Sequence, residues 1–187
     1  MSEQKLALSR DVSIWEKIAK LRINSLEPLA PKFRNAVLSA LSDMREKSIK
    51  LGALTVPLDW IVFETLRTEE LQQIYYAQGT TKAKTAGKSW HKYGLAVDGV
   101  SQRWLWFNTQ AAAIVWPKSN VRNAYATQWF LSCGEYFEKY GCKLGARWKN
   151  PDLPHVQWGK CADSPILAPL LFLEGGNEKV WRAVNAI

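Results

Sequence analysis

Apolar positions along the chain fall into stretches of helical spacing, separated by short runs rich in β-branched and aromatic residues. Val12 to Leu21 predicts a first helix. A second begins at Pro31 and runs through KFRNAVLSALSDMREKSIKLG, with Phe33, Val37, Leu41 and Met44 on one face and Gly52 as its stop. WIVFETL, Trp60 to Leu66, predicts a strand. Thr68-Glu69-Glu70 then marks a helix start, with a hydroxyl cap and acidic residues at the positive end of the helix dipole. Leu71, Ile74, Tyr75 and Gln78 continue that helix to Gly79. TTKAKTAGK is a polar, basic loop, GLAVDGV a buried strand, and WLWF, Trp104 to Phe107, a possible neighbour. The best helical period runs from Asn123 to Tyr140, through Ala126, Trp129/Phe130, Cys133 and Phe137, and Gly141 closes it. CKLGARW predicts another short strand before the loop KNPDLPHVQW, and EGGNEKVWRAVNAI a terminal docking helix through Val180, Trp181 and Val184. This order suits an α+β fold, a small antiparallel sheet flanked by helices, better than regular βαβ alternation.

Composition narrows the class. The chain's 187 residues fit one domain, 1–187, and a hydrophobic share of 47% with ten tryptophans excludes disorder. The longest apolar run, ILAPLLFL at 166–173, is eight residues broken by a proline, too short to cross a bilayer. The N-terminus, MSEQKLALSR, lacks a basic region leading into an apolar stretch, so the expectation is no signal peptide and a cytoplasmic protein. Cys133, Cys142 and Cys161 include no CxxC pair and read as buried free thiols. A net charge of +8 points to an anionic partner such as nucleic acid, a membrane surface or a cell-wall polymer. No basic helix or zinc-finger spacing supports nucleic acid.

The two histidines sit in unusual company. His91 lies in SWHKYGLAVD, with Asp98 seven residues on, at the end of an apolar strand; His155 lies in DLPH, three residues after Asp152. A histidine near a strand is by itself more often a hydrogen-bonded structural residue, and an aspartate before glycine a turn residue. Taken together they make a different case. A catalytic zinc takes three protein ligands from histidines and carboxylates and keeps a fourth position open. His91, Asp98 and His155 would supply that set, and Asp152 would stay free as general base. A carboxylate behind Leu95, Ala96 and Val97 is costly to bury unless something neutralises it.

These residues resemble the motifs of the zinc D-alanyl-D-alanine carboxypeptidases and L-alanyl-D-glutamate endopeptidases, whose fold is shared with the hedgehog signalling domain. The motif S-x-H-x-x-G-x-A-x-D is matched by Ser89, His91, Gly94, Ala96 and Asp98, and the acidic-x-x-His motif by Asp152 and His155. Arg67, Thr68, Gln72 and Gly79 match an upstream run, so the likeness covers roughly 26–158. The chain departs from the family at LGARW, 144–148, where phage members often carry W-G-G-[DN]-W, and at Leu66, where small or aromatic residues are common. The resemblance implies one zinc ion on His91, Asp98 and His155, Asp152 as catalytic base, and Arg67 at the substrate. On spacing alone Arg67 serves nearly as well as a surface ion-pair partner of Glu64, Glu69 or Glu70. Ser89 would hydrogen-bond substrate or orient its loop.

The function so implied is zinc-dependent hydrolysis of peptidoglycan stem peptides by a monomeric enzyme without stable membrane association. An L-alanyl-D-glutamate endopeptidase of phage endolysin type, reaching the wall after membrane disruption, is favoured over a D-alanyl-D-alanine carboxypeptidase. A non-catalytic zinc-stabilised module, conceivable from the hedgehog comparison, is the alternative of a different class.

Overall fold

A computed structural model describes residues 12–101 and 119–187, with side chains for 14–101 and 124–187. Helix α1 (Val12–Leu21) and helix α2 (Pro31–Met44) precede a hairpin of β1 (Ser48–Leu51) and β2 (Leu54–Pro57). Strand β3 (Trp60–Glu64), helix α3 (Glu69–Ala77) and strand β4 (Ala96–Ser101) follow, with two single 3₁₀ turns at Ala86–Lys88 and Trp90–Tyr93 between them. Helix α4 (Ser119–Lys139), strand β5 (Cys142–Leu144), strand β6 (His155–Trp158) and helix α5 (Ala168–Ala183) complete the order. The architecture is α+β. The second sheet is antiparallel throughout, in the order β3-β4-β6-β5.

Most predicted elements are present, and four differ. CKLGARW is a strand only over Cys142–Leu144, after which Gly145–Arg147 forms a 3₁₀ turn. The second helix stops at Met44, not Gly52, because Glu46 takes a left-handed φ of 62° and the chain turns into β1. Beyond that point the apolar positions Ile49 and Leu51 are two apart, a strand period, and Leu51 is wholly buried. Gly52 therefore serves the hairpin: its φ of +61° suits the two-residue connection between Leu51 and Leu54. HVQW, expected in a loop, is strand β6. The terminal helix starts earlier than expected, at Ala168, and breaks at Gly175-Gly176. Trp104–Phe107 lies outside the described residues.

Strand pairing sorts the sheet's side chains into two faces. Val97, Val156, Leu144, Gly99 and Trp60 share one face, since residues paired across antiparallel strands point the same way. Helices α2 and α4 cover that face: Trp60 packs on Phe137 at 4.8 Å, and Trp129, Cys133 and Phe137 are buried at successive four-residue steps. Gly99 is obligatory there, because a β-carbon would stand 1.8 Å from the Trp60 ring. The opposite face presents Glu64, Asp98, His155 and Gln157. Helix α5 braces the turn below it. Val180 is 1% exposed, the Trp181 indole donates to the Tyr93 carbonyl at 2.6 Å, and the Trp158 indole donates to the Val184 carbonyl at 2.9 Å. Among the described residues no helix is long and apolar enough to cross a membrane.

Candidate metal centre

The sheet brings three strands' worth of chemistry into one row. Asp98 on β4 is the cross-strand partner of Glu64 on β3 and of His155 on β6. A bulge sets this up. Val62 pairs with Gly99, but it is Glu64, not Phe63, that pairs with Asp98. The extra residue in β3 thus turns a carboxylate, in place of a phenyl ring, toward Asp98. His91 arrives from the 3₁₀ turn that precedes β4. That turn closes on Gly94 at φ +63°, where a β-carbon would lie 2.2 Å from the Pro28 carbonyl oxygen.

Three ligand atoms converge. His155 Nδ1 is 3.1 Å from Asp98 Oδ1, His91 Nε2 is 3.2 Å from the same oxygen, and the two ring nitrogens are 3.3 Å apart. The far side of each ring decides what faces inward. His91 Nδ1 lies 3.0 Å from the Thr65 carbonyl oxygen, which only accepts, so Nδ1 carries the hydrogen and Nε2 turns a lone pair to the centre. His155 Nε2 donates to Gln157 Oε1 at 3.2 Å, which leaves its Nδ1 bare as well. Two lone pairs and a carboxylate oxygen then face one another within 3.3 Å. Such a cluster repels itself unless a cation sits among the three. Ligands at zinc–nitrogen distances of 2.0–2.1 Å stand about 3.3–3.4 Å apart in a tetrahedron, and the observed triangle fits that spacing. His91 and His155 are buried, and the side chain of Asp98 is 14% exposed.

The electrostatics favour positive charge at the same point. Burial alone would raise the Asp98 carboxyl, but the adjoining imidazoles, His91 first and then His155, outweigh burial when they carry protons in place of a metal ion, and hold it well below the usual carboxylate range. Burial would lower His155, and the Asp98 carboxylate reverses this, so its imidazole is raised. Asp152 is the opposite case. Although Asp152 keeps exposed surface, loss of solvating water around its carboxyl in the cleft, then the Asp98 charge, raise it above the ordinary value.

Asp152 and His155 sit on one turn, in which the His155 amide donates to the Asp152 carbonyl at 3.2 Å. Gly145 supports this turn from beneath, accepting from the Asp152 amide at 3.0 Å. Trp148 packs on His155 with ring centroids 5.0 Å apart. Ser89 lines the cleft beside the three ligands. Arg67 is buried and tied to Glu64 and Asp98, the Asp98 bond being 3.1 Å. The sequence singled out every residue of the central triangle but missed Glu64's place in the row, Gln157, Gly145 and Trp148. Only Gln157 left a signal: two residues after His155, it shares that face if HVQW is read as a strand.

Two cavities meet at this centre. One of about 170 Å³ runs past Ser89, Trp148 and Asp163. The other, about 280 Å³, is walled by Trp15, Phe63, Tyr75 and Thr80. Arg67, Thr81, Asp98 and Asp152 line both.

Residues 82–158, which include His91, Asp98, Asp152 and His155, match the family described as D-alanyl-D-alanine carboxypeptidase. The chain is also 27% identical over 117 residues to the peptidoglycan L-alanyl-D-glutamate endopeptidase CwlK of Bacillus subtilis (strain 168). Both likenesses are to proteins of the D-Ala-D-Ala carboxypeptidase/LD-endopeptidase kind. The CwlK match spans 59% of this chain and 66% of that relative, just under two thirds of its length. Among solved structures, the Serratia marcescens L-Ala D-Glu endopeptidase ChiX is similar at 22% identity and a TM-score of 0.45, over 71% of this chain and 82% of that one.

Proposed function

We propose that the protein is a zinc-dependent peptidase of the bacterial cell wall that cuts peptidoglycan stem peptides internally, at the L-alanyl-D-glutamate bond, as a bacteriolytic enzyme of endolysin type. The observation that carries the metal-dependent reading is the triangle of His91 Nε2, Asp98 Oδ1 and His155 Nδ1, with edges of 3.1 to 3.3 Å and lone pairs inward. A zinc ion held by these residues supplies Lewis-acid activation of water and of the scissile carbonyl.

This chain's own groups do the rest. Asp152, at the junction of the two cavities, takes the proton of the attacking water and passes it to the leaving amine. Its raised carboxyl brings it closer to working pH as a base. Thr65 and Gln157 hold the two imidazoles in the tautomers that ligation requires. Ser89 and Trp148 offer polar and aromatic contacts on one side of the cut bond, and Tyr75, Phe63 and Trp15 line the other. A cleft that continues on both sides of Asp98 and Asp152 favours an endopeptidase. A carboxypeptidase needs room on its leaving side for little more than one residue.

The match to CwlK supports the same bond specificity. The test is Asp152→Ala, which is expected to retain zinc while losing the release of new amino groups from purified peptidoglycan. Turnover at the wild-type rate would overturn the assignment of the base. A non-catalytic module has no use for a carboxylate at this position, and the same variant tests it.

A further inference from the structure

Resting on the metal-centre reading, we infer that Glu64 is a positioning residue for the metal ligand Asp98, acting through Arg67. Glu64 is 1% exposed, on the site face of the sheet, directly opposite Asp98. Two buried carboxylates side by side repel, and one of them must keep an oxygen aimed at the histidines. The Arg67 guanidinium resolves this as a bridge. Its Nε donates to Glu64 Oε1, its Nη2 donates to Asp98 Oδ2 at 3.1 Å, and its Nη1 reaches Gln72 Oε1 at 3.5 Å. With Oδ2 occupied, Asp98 presents Oδ1 to His91 and His155.

Glu64 is itself fixed from the far side. The Tyr75 hydroxyl donates to its Oε2 at 2.8 Å. A direct route from Glu64 to the ligands is weaker: Glu64 Oε1 is 3.9 Å from His91 Nδ1, whose hydrogen goes to Thr65. The chain Tyr75–Glu64–Arg67–Asp98 therefore runs from helix α3 to the metal centre as a line of hydrogen bonds, buried at Glu64–Arg67 and partly buried at either end. Its rigidity comes from a planar guanidinium with donors fixed in one fork.

Zinc affinity of the purified full-length protein, measured by competition with a chromophoric chelator, tests this. Glu64→Gln keeps the volume and removes the charge; affinity is expected to fall about 10- to 100-fold. Arg67→Met is expected to fall comparably, and the double variant no further than Arg67→Met alone, since both act on one line. Tyr75→Phe leaves every charge in place and keeps the test open should Glu64→Gln fail to fold; its affinity is expected to fall several-fold. Folded Glu64→Gln and Tyr75→Phe proteins with wild-type zinc affinity would overturn the inference, as would additive losses in the double variant. A wild-type protein that takes up no zinc would instead overturn the metal-centre reading on which it rests.

Discussion

Gly145 gives a test of the site that replaces none of the four residues proposed as ligands and base. It opens the turn after β5, and nothing in its backbone demands glycine, for its φ is not in the left-handed region. Space alone excludes a side chain. A β-carbon there would stand 2.4 Å from the Asp152 carbonyl oxygen, 2.9 Å from His155 Cβ and 3.1 Å from Asp152 Cβ. Carbon–oxygen contacts settle at about 3.3–3.6 Å, so in Gly145→Ala the Asp152–His155 turn must retreat by about 1 Å. Overpacking of this kind costs about 1–3 kcal/mol, which a urea titration reads as a lower midpoint at unchanged slope. The larger effect falls on function, because the displaced turn carries both His155, the proposed third ligand, and Asp152, the proposed base. A misplacement of about 1 Å lowers turnover by about 10²-fold. The assay is release of amino groups from purified peptidoglycan, with zinc affinity measured beside it. Gly87→Ala is the control, since its β-carbon would meet the Tyr93 hydroxyl at an ordinary 3.5 Å. Wild-type turnover and zinc affinity in Gly145→Ala would refute the reasoning that this glycine sets the position of Asp152 and His155.

The Asp152 carboxyl predicts a trade between stability and activity in the metal-free protein. Folding raises its pKa above that of the unfolded chain, so the protonated form is favoured and the gain is lost as pH rises through the folded value. Asp152→Asn is thus expected to raise the Tm of chelator-treated protein at pH 7, the gain shrinking as pH falls toward ~3.9; a gain that grows in acid would contradict this. The thiols give a simpler outcome. All three cysteines are buried, and burial pushes Cys142 and Cys161 up to about 12 and Cys133 higher still. Iodoacetamide at pH 8 should label none of them in the native protein and all three in denaturant; rapid native labelling would refute the packing around them.

The triangle of His91, Asp98 and His155 was legible in the sequence because its members carry their chemistry in their residue type. Two histidines and an aspartate behind an apolar strand have few other uses in combination. The strand itself was legible because Leu95 to Val97 had to be buried. What supports the triangle was less visible. Glu64 faces Asp98 only through a bulge, a shift of one residue that no local pattern in WIVFETL announces. Read without it, alternation would have placed Phe63 there. Gly145 is needed because of what approaches it from 152 to 155, and sequence spacing does not report such an approach. The second helix was overextended because Phe33, Val37 and Met44 continue smoothly into Ile49 and Leu51, and only pairing with β2 marks the change of period.

The central claim is that this cleft holds a divalent cation and cuts the stem peptide in its interior. Mass spectrometry of muropeptides digested by the zinc-loaded protein tests it most directly. Fragments split between L-Ala and D-Glu, absent after chelation and restored by zinc, are the predicted result. Loss of terminal D-Ala alone, or the same fragments from protein stripped of metal, would contradict it.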